Sequence, residues 1–127
     1  MLGAGYVSAP VVEYLTRSND VALYVASALQ EDADALANRF PRTQSVLLNV
    51  KERPDLLREY IDKVDVVVSL LPYDLHPTVA QQCIQAKTSM VTASYLSQAM
   101  KELHQRLVCI IVKYFQFRQN EILNNYI

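Results

Sequence analysis

Glycine is scarce in this chain of 127 residues, which has two where an average composition predicts about nine. Both stand near the start, as Gly3 and Gly5, so we expect a bare backbone to be needed at that place. Cysteine is equally rare. Cys83 and Cys109 have no metal-ligand spacing, which argues against a disulfide framework and predicts free core thiols of a reducing compartment.

An excess of one charge is also missing, since 12 Lys and Arg residues balance 13 Asp and Glu residues. We therefore expect no nucleic acid as a partner. Apolar runs are short, with residues 107–112 among the longest, so we expect no membrane span. Residues 1–3 contain neither the charged n-region nor the apolar h-region of a signal peptide, so no secretory signal is expected. A composition of 51% hydrophobic and 20% charged residues indicates one folded domain.

Apolar runs without helical gaps alternate with segments whose apolar residues recur at helical spacing. The pattern predicts strands over 21–26, 45–50, 65–71, 89–93 and 108–112, and helices over 8–16, 31–39, from 54, from 77 and over 97–107. Such alternation predicts an α/β fold, with a parallel sheet and helices on both of its faces. Residues 113–127 receive no assigned element.

Residues 3–8 (GAGYVS) form a GxGxxG-type loop with Ser8 in the third glycine position. In such a loop the first glycine allows the tight turn and the second lets a pyrophosphate approach the backbone. The third lets helix and strand pack closely. The helix that follows would offer free N–H groups and its positive dipole end to phosphates. The loop and its context favour a dinucleotide site, and the alternative is a plain tight turn.

Two features depart from that pattern. Only two residues precede Gly3, so we expect a first strand that is clipped, with its neighbours' edges exposed and prone to self-association. An acid that binds the ribose is expected about 20 residues after the loop, yet the second strand ends at Ser27 and Ala28. Glu31 and Asp32 follow one turn later, either as that contact or as the acidic first turn of a helix. The choice between NAD and NADP stays open.

Two further strand ends fall at the same predicted edge, where open α/β sheets bind ligands. Leu70 and Leu71 are candidates to line the cofactor and Tyr73 to cover it, and the alternative is a buried strand end with a turn tyrosine. Thr92 and Ser94 offer hydroxyls to a substrate or to a nicotinamide amide, although Ser94 equally suits the cap of the next helix.

The chain has two histidines, His76 and His104. We interpret His76 as a helix N-terminal residue, with a titrating role as the alternative, and His104 as solvated. The sequence contains no Ser-His-Asp order, metal-ligand cluster or P-loop lysine. Metal catalysis and phosphoryl transfer therefore have no support, and no catalytic residue is assigned.

Three strings, LGAGYVSAPVVEYL, VDVVVSLLPYDLHPTVAQQCI and MVTASYLSQAMKEL, resemble the saccharopine dehydrogenase family, over about residues 2–104. The likeness is strongest to the saccharopine dehydrogenase half of the bifunctional aminoadipic semialdehyde synthases. It implies a Rossmann-like fold and the NAD- or NADP-dependent oxidation of saccharopine in lysine degradation. The resulting imine is hydrolysed to glutamate and aminoadipate semialdehyde.

The resemblance also implies roles for individual positions. Ala28 replaces the aspartate that binds the ribose hydroxyls in NAD-using members, which puts a preference for NAD in doubt. No arginine stands there in its place, so a preference for NADP is not established either. The implied cofactor contacts are Gly3, Ala4, Gly5, Tyr6 and Val7 at the pyrophosphate, Ser27, Ala28, Asp32, Val50 and Leu71 on the adenine and ribose side, and Ala93 on the nicotinamide side. Ser94 and Tyr95 would touch saccharopine.

The likeness stops after residue 104, and the family's large substrate domain has no counterpart here. We expect a partial NAD(P)-binding Rossmann domain over 1–107 and a divergent tail over 108–127, in a truncated fragment of the family. The expected function is the nucleotide-binding part of a saccharopine dehydrogenase. The alternative is a non-catalytic product that acts as an interaction fragment or has no function alone. By resemblance the location is mitochondrial, with the cytoplasm as the alternative.

Overall fold

The computed structural model describes residues 1–94 and 97–105, with side chains as far as Leu103. The elements are α1 (Ser8–Leu15), β1 (Leu23–Ser27), α2 (Gln30–Ala37), β2 (Thr43–Leu47), α3 (Pro54–Ile61), β3 (Val66–Ser69), a 3₁₀ turn (Tyr73–Leu75), α4 (His76–Ala86), β4 (Ser89–Thr92) and α5 (Gln98–Gln105). The predictions for Tyr95, the side chain of His104, the strand over 108–112 and the tail over 108–127 lie outside this description.

The strands form one parallel sheet. β1 pairs with β2 from Leu23 opposite Thr43 onward, and β3 pairs with β4 from Val66 opposite Ser89 onward. Leu2 is bridged in parallel to both β1 and β3, so residues 1–3, here called the central segment, lie between the two pairs. The order β2–β1–central segment–β3–β4 is that of a doubly wound nucleotide-binding sheet, which confirms the predicted fold class.

Main-chain hydrogen bonds join the central segment to both neighbours at 2.8–2.9 Å. The donor-to-acceptor pairs are Leu2 N to Val68 O, Leu70 N to Leu2 O, Gly3 N to Ala26 O and Ala26 N to Met1 O. The expectation that the inner edges of β1 and β3 are exposed is therefore wrong at their carboxyl ends. There these edges already have their partner.

Helices cover both faces of the sheet, as the sequence predicts. Along β1, Val25 belongs to the cluster under α1 and α2, whereas Ala26 belongs to the cluster under α3 and α4. The alternation follows from the two-residue period of a strand. Leu57 and Ile61 of α3 are fully buried, and each such side chain contributes about 1.5–3 kcal/mol by leaving water.

The position of β2 differs from its prediction over 45–50. The strand begins two residues earlier, at Thr43, and ends at Leu47, because pairing with β1 continues only as far as Ser27 opposite Leu47. Leu48 and Val50 remain buried beyond the end of the strand, which explains why an apolar pattern alone extends it too far. The backbone partner rather than hydropathy sets the bounds of this strand.

Arg42 joins the start of β2 to the turn between α1 and β1. Its Nη2 donates to Thr16 O at 2.7 Å and to Ser18 O at 3.0 Å, and its Nε donates to Val21 O at 3.2 Å. Its backbone has a φ of 53°. One guanidinium thus satisfies three carbonyls of a segment that has no regular structure.

We predict that Arg42→Ala lowers the free energy of unfolding by about 1 kcal/mol, because three charge-assisted hydrogen bonds at a partly exposed site are lost. Urea titration followed by circular dichroism measures the change. Arg39→Ala is the matched control, since Arg39 lies over the ring of Phe40 and its guanidinium donates to no carbonyl among the described residues. Equal effects of the two substitutions would contradict the role given to Arg42.

Gly3 has a φ of +101°, and a Cβ built there would lie 3.1 Å from the Leu70 carbonyl oxygen. We predict that Gly3→Ala lowers the free energy of unfolding by about 2–3 kcal/mol through backbone strain and this contact. At Gly5 a Cβ would meet nothing within 4 Å, so Gly5→Ala should change stability by less than about 0.5 kcal/mol. The same titration compares the two, and similar losses would argue against a special conformation at Gly3.

Candidate functional site

The glycine loop, residues 3–8, turns from the central segment into α1 at the carboxyl edge of the sheet. Ser8 closes it, because its Oγ donates to the Gly3 carbonyl at 3.0 Å and its N–H donates to the Gly5 carbonyl at 3.0 Å. Ser8 is fully buried. The sequence predicts a small residue here for close packing, and the hydrogen bonding of the hydroxyl is an additional feature that spacing does not reveal.

The outer side of the loop is open. Gly5 is exposed, and a side chain added there would point into empty space, whereas Tyr6 and Val7 are exposed and Ala4 is half-buried. α1 begins directly afterwards without a side-chain cap and without an acidic residue in its first turn. The backbone at Gly5 is therefore open to a phosphate, and the first turn of α1 has no acidic residue that would repel it.

The end of β1 provides a second face of the site. Ser27 is half-buried, and its Oγ accepts a hydrogen bond from Leu29 N at 3.2 Å, which leaves Ala28 and Leu29 exposed. Glu31 and Asp32 lie in the first turn of α2, where both are exposed. Asp32 therefore occupies the start of a helix, as the alternative interpretation requires, and also lies close in sequence to the end of the strand.

A polar contact that the sequence analysis missed holds α2 against β2. Asp34 accepts hydrogen bonds from Ser45 Oγ and from Gln30 Nε2, the latter at 2.7 Å. The Ser45 hydrogen bond first, and the Gln30 hydrogen bond second, lower the pKa of Asp34. Since Gln30 is the first residue of α2 and Ser45 lies in β2, this contact holds the start of the helix against β2.

The ends of the remaining strands place the other predicted residues. Leu70 and Leu71 follow β3 and are half-buried, and Tyr73 is exposed. Val50 follows β2 and is only 4% exposed, within the cluster under α3 and α4. Val50 can therefore present only a small part of its side chain to a ligand, and Leu70, Leu71 and Tyr73 are more accessible.

His76 has surroundings that the sequence does not predict. It is the first residue of α4, as expected, but it is 2% exposed rather than a surface position. Thr92 Oγ1 lies 3.1 Å from its Nδ1 and 3.2 Å from its Nε2. Burial is the main cause that lowers the pKa of His76, so the imidazole is neutral at pH 7.

The loop after β4 leads into α5. Ala93 is exposed and Ser94 is half-buried, with Ser94 N donating to Thr92 Oγ1 at 3.3 Å. Ser97 Oγ, rather than Ser94, accepts the hydrogen bond at the start of α5, from Met100 N at 3.3 Å. The alternative of Ser94 as a helix cap is therefore wrong. The side chain of Ser94 is not used to cap α5.

The described part of the chain offers little support for metal binding, thiol chemistry or a membrane span. Across residues 1–94 and 97–105, no three His, Cys, Asp or Glu side chains are grouped so as to hold a metal ion. Burial raises the pKa of Cys83 to about 12, so this thiol is a poor nucleophile at neutral pH. Among the described helices, none is long and apolar enough to cross a membrane.

Comparison with known proteins agrees with this arrangement. Residues 1–109 match the family model described as the saccharopine dehydrogenase NADP binding domain. The rat mitochondrial alpha-aminoadipic semialdehyde synthase is 43% identical over 105 residues, which are 83% of this chain and 11% of the rat protein. The saccharopine dehydrogenase [NADP(+), L-glutamate-forming] of Saccharomyces cerevisiae is 37% identical over 108 residues, which are 85% of this chain and 24% of the yeast protein.

A solved structure gives the same result for the fold. The apo histidine-tagged saccharopine dehydrogenase (L-Glu forming) from Saccharomyces cerevisiae superimposes with a TM-score of 0.73 at 38% identity, over 80% of this chain and 22% of that one. This chain thus spans between about a tenth and a quarter of the length of these relatives. With an open glycine loop on a doubly wound sheet and a family match over residues 1–109, the chain belongs to the saccharopine dehydrogenase family, in which it corresponds to the NAD(P)-binding domain.

Proposed function

We propose that this chain is the nucleotide-binding part of a saccharopine dehydrogenase, an NAD(P)-dependent oxidoreductase of lysine degradation. The observation that carries the proposal is the open glycine loop, where Gly5 leaves free space beside an uncapped helix start without acids. The relatives' names support the substrate, since the yeast protein is called a saccharopine dehydrogenase that forms L-glutamate. The reaction itself belongs to the full-length relatives, of which this chain spans about a tenth to a quarter.

A dinucleotide would bind with its two halves on opposite sides of the central segment. The pyrophosphate would lie at residues 3–7, against the backbone of the loop. The adenine and ribose would lie toward Ser27, Ala28 and Asp32, with Val50 and Leu71 at their sides. The nicotinamide would lie on the side of β3 and β4, near Leu70 and Ala93.

When bound, the cofactor supplies the hydride acceptor for a C–H bond next to the secondary amine of saccharopine. The contribution of this chain is to bind and orient it, because hydride transfer requires the reacting atoms to be held at close contact. Ser94, and Tyr95 by resemblance, would contact saccharopine at the nicotinamide side. Water then cleaves the imine to give glutamate and aminoadipate semialdehyde.

We further propose that residues 1–107 form the NAD(P)-binding domain and residues 108–127 a divergent tail. The family match ends at residue 109, within two residues of this boundary, and so supports it. We place the protein in mitochondria rather than the cytoplasm, because the rat, mouse and cattle relatives are named as mitochondrial. Cell fractionation tests the location, and recovery of the chain in the cytosol would overturn it.

A second candidate function is that of a non-catalytic fragment that associates through strand edges. It is favoured by β2, which pairs on one side only within the described residues and exposes Leu47 at its end. Parallel edge strands with unpaired backbone groups are templates for association. The two candidates differ in cofactor binding, which the next experiment measures.

We predict that NADPH or NADH raises the thermal midpoint of the chain by several degrees, since a ligand at a hundredfold excess over its Kd stabilises by about 2.7 kcal/mol. Gly5→Val should abolish most of this rise, because the added side chain fills the space that the phosphates need, while the midpoint without ligand stays close to that of the unmodified chain. Differential scanning calorimetry measures the midpoints of both chains with and without the cofactor.

Ala22→Val is the control, because Ala22 is exposed just before β1, at the opposite end of that strand from the loop. It should keep the full response to the cofactor. A chain that binds neither cofactor but sediments as concentration-dependent oligomers would instead favour the second candidate function.

The end of β1 generates a prediction on cofactor choice. Ala28→Asp should shift the ratio of affinities toward NADH over NADPH by roughly tenfold, because a carboxylate accepts the ribose hydroxyls and repels a 2′-phosphate. Ala28→Asn is the matched control, of the same size without the charge. Titration of all three chains with both cofactors measures the ratio, and an unchanged ratio in Ala28→Asp would mean that the ribose lies elsewhere.

A further inference from the structure

A row of polar side chains lies buried beneath the loops that follow β3 and β4. Ser69 and Thr92 are register partners on these strands and are 0% and 3% exposed. They follow Val67 and Met90 by two residues and so share the face that packs against α3 and α4. His76 completes the row with its ring against the Thr92 hydroxyl. Buried polar groups among apolar neighbours cost free energy unless they are hydrogen-bonded, so this row calls for an explanation.

The contacts of His76 lead to both loops. Through Thr92 Oγ1 they reach the backbone of Ser94, which donates to the same oxygen at 3.3 Å. On the other side, the backbone itself joins His76 to the loop after β3, because His76 begins α4 directly after the 3₁₀ turn Tyr73–Leu75. One neutral imidazole therefore links the loop after β3 with the loop after β4.

Ser69 suggests that the row is not arranged for stability alone. Within the described residues its hydroxyl is fully buried and has no hydrogen-bond partner, although it lies next to Thr92 across the sheet. Buried side-chain hydroxyls normally have a partner. A row that served only to hold the core together would pair this hydroxyl or replace it with a methyl group. The contacts are instead concentrated on His76 and Thr92, the two members that reach the loops.

We propose that His76 is a positioning residue that sets the separation of these two loops for the nicotinamide half of the bound cofactor. The proposal rests on the proposed function of the chain. β3 and β4 lie on one side of the central segment, and β1 and β2 lie on the other. The adenosine half would meet these two loops only at Leu71, so a defect at His76 should weaken binding of the nicotinamide half far more than binding of the adenosine half.

The test compares two ligands on the full chain by calorimetry: NADPH, and adenosine 2′,5′-bisphosphate, which carries only the adenosine half. His76→Phe keeps a planar ring without nitrogens, and Thr92→Val keeps the shape of threonine without the hydroxyl. Each should weaken NADPH roughly three- to tenfold, the range expected for one lost hydrogen bond, and should change the affinity for the bisphosphate by less than about twofold. The double variant should be no weaker than either single one, because both substitutions break the same link.

Two matched controls separate this role from a general loss of packing. Thr92→Ser retains the hydroxyl and should bind NADPH nearly as the unmodified chain does. Ser69→Ala removes an equally buried hydroxyl that has no partner, and it should leave both affinities unchanged. If Ser69→Ala weakens NADPH as much as His76→Phe does, or if His76→Phe weakens both ligands equally or neither, the proposal is overturned. An unmodified chain that binds neither ligand refutes the proposed function and this inference with it.

Nuclear magnetic resonance of the unmodified chain gives a second measurement, which needs no variant to fold. At pH 7 the ring of His76 should show one protonated and one bare nitrogen, the signature of a neutral, fixed tautomer. NADPH should shift these nitrogens and the Ser94 amide, whereas adenosine 2′,5′-bisphosphate should not. Shifts with both ligands, or with neither, would refute the positioning role.

Discussion

The hydrogen bonds of residues 1–3 to β1 and β3 are the interaction on which the rest of this fold depends. They turn two separate strand pairs into one sheet, and the two faces of that sheet then carry the two apolar clusters. They also bring the carboxyl ends of all the strands to one edge. Because Gly3 has a φ of +101° and a Cβ there would lie 3.1 Å from the Leu70 carbonyl oxygen, the turn out of this segment favours glycine. The position of the glycine loop is therefore a consequence of how the sheet is joined.

The edge has two chemically different helix starts. α1 begins without acidic residues, whereas α2 begins with Glu31 and Asp32. A dinucleotide has the matching asymmetry, with phosphates that need positive potential and ribose hydroxyls that donate hydrogen bonds. The two glycines before α1 also differ. Gly3 has a backbone conformation that favours glycine, whereas an added Cβ at Gly5 would meet only open space.

Much of the fold could be predicted from the sequence because its strands are apolar on both faces and its helices are amphipathic. The length of β2 could not, since Thr43 and Gln44 are polar and join the sheet only through pairing with β1. Pattern reasoning located the glycine loop and the ends of the strands, where residue type and spacing carry the signal. It missed the burial of His76, because contacts between α4 and β4 depend on packing that is distant in sequence. Proline after histidine indicates a helix start but says nothing of what covers it.

The central segment also constrains the order in which the fold can form. Its partners are Ala26 and Ser69, and the second lies beyond the middle of the chain. Contacts between residues so far apart close large loops, which makes folding slow compared with that of a helical bundle. During synthesis on the ribosome, the first residues must wait until β3 has emerged before their second neighbour exists. Until then the central segment can pair with β1 alone, and its edge that later receives β3 stays open as a template for association.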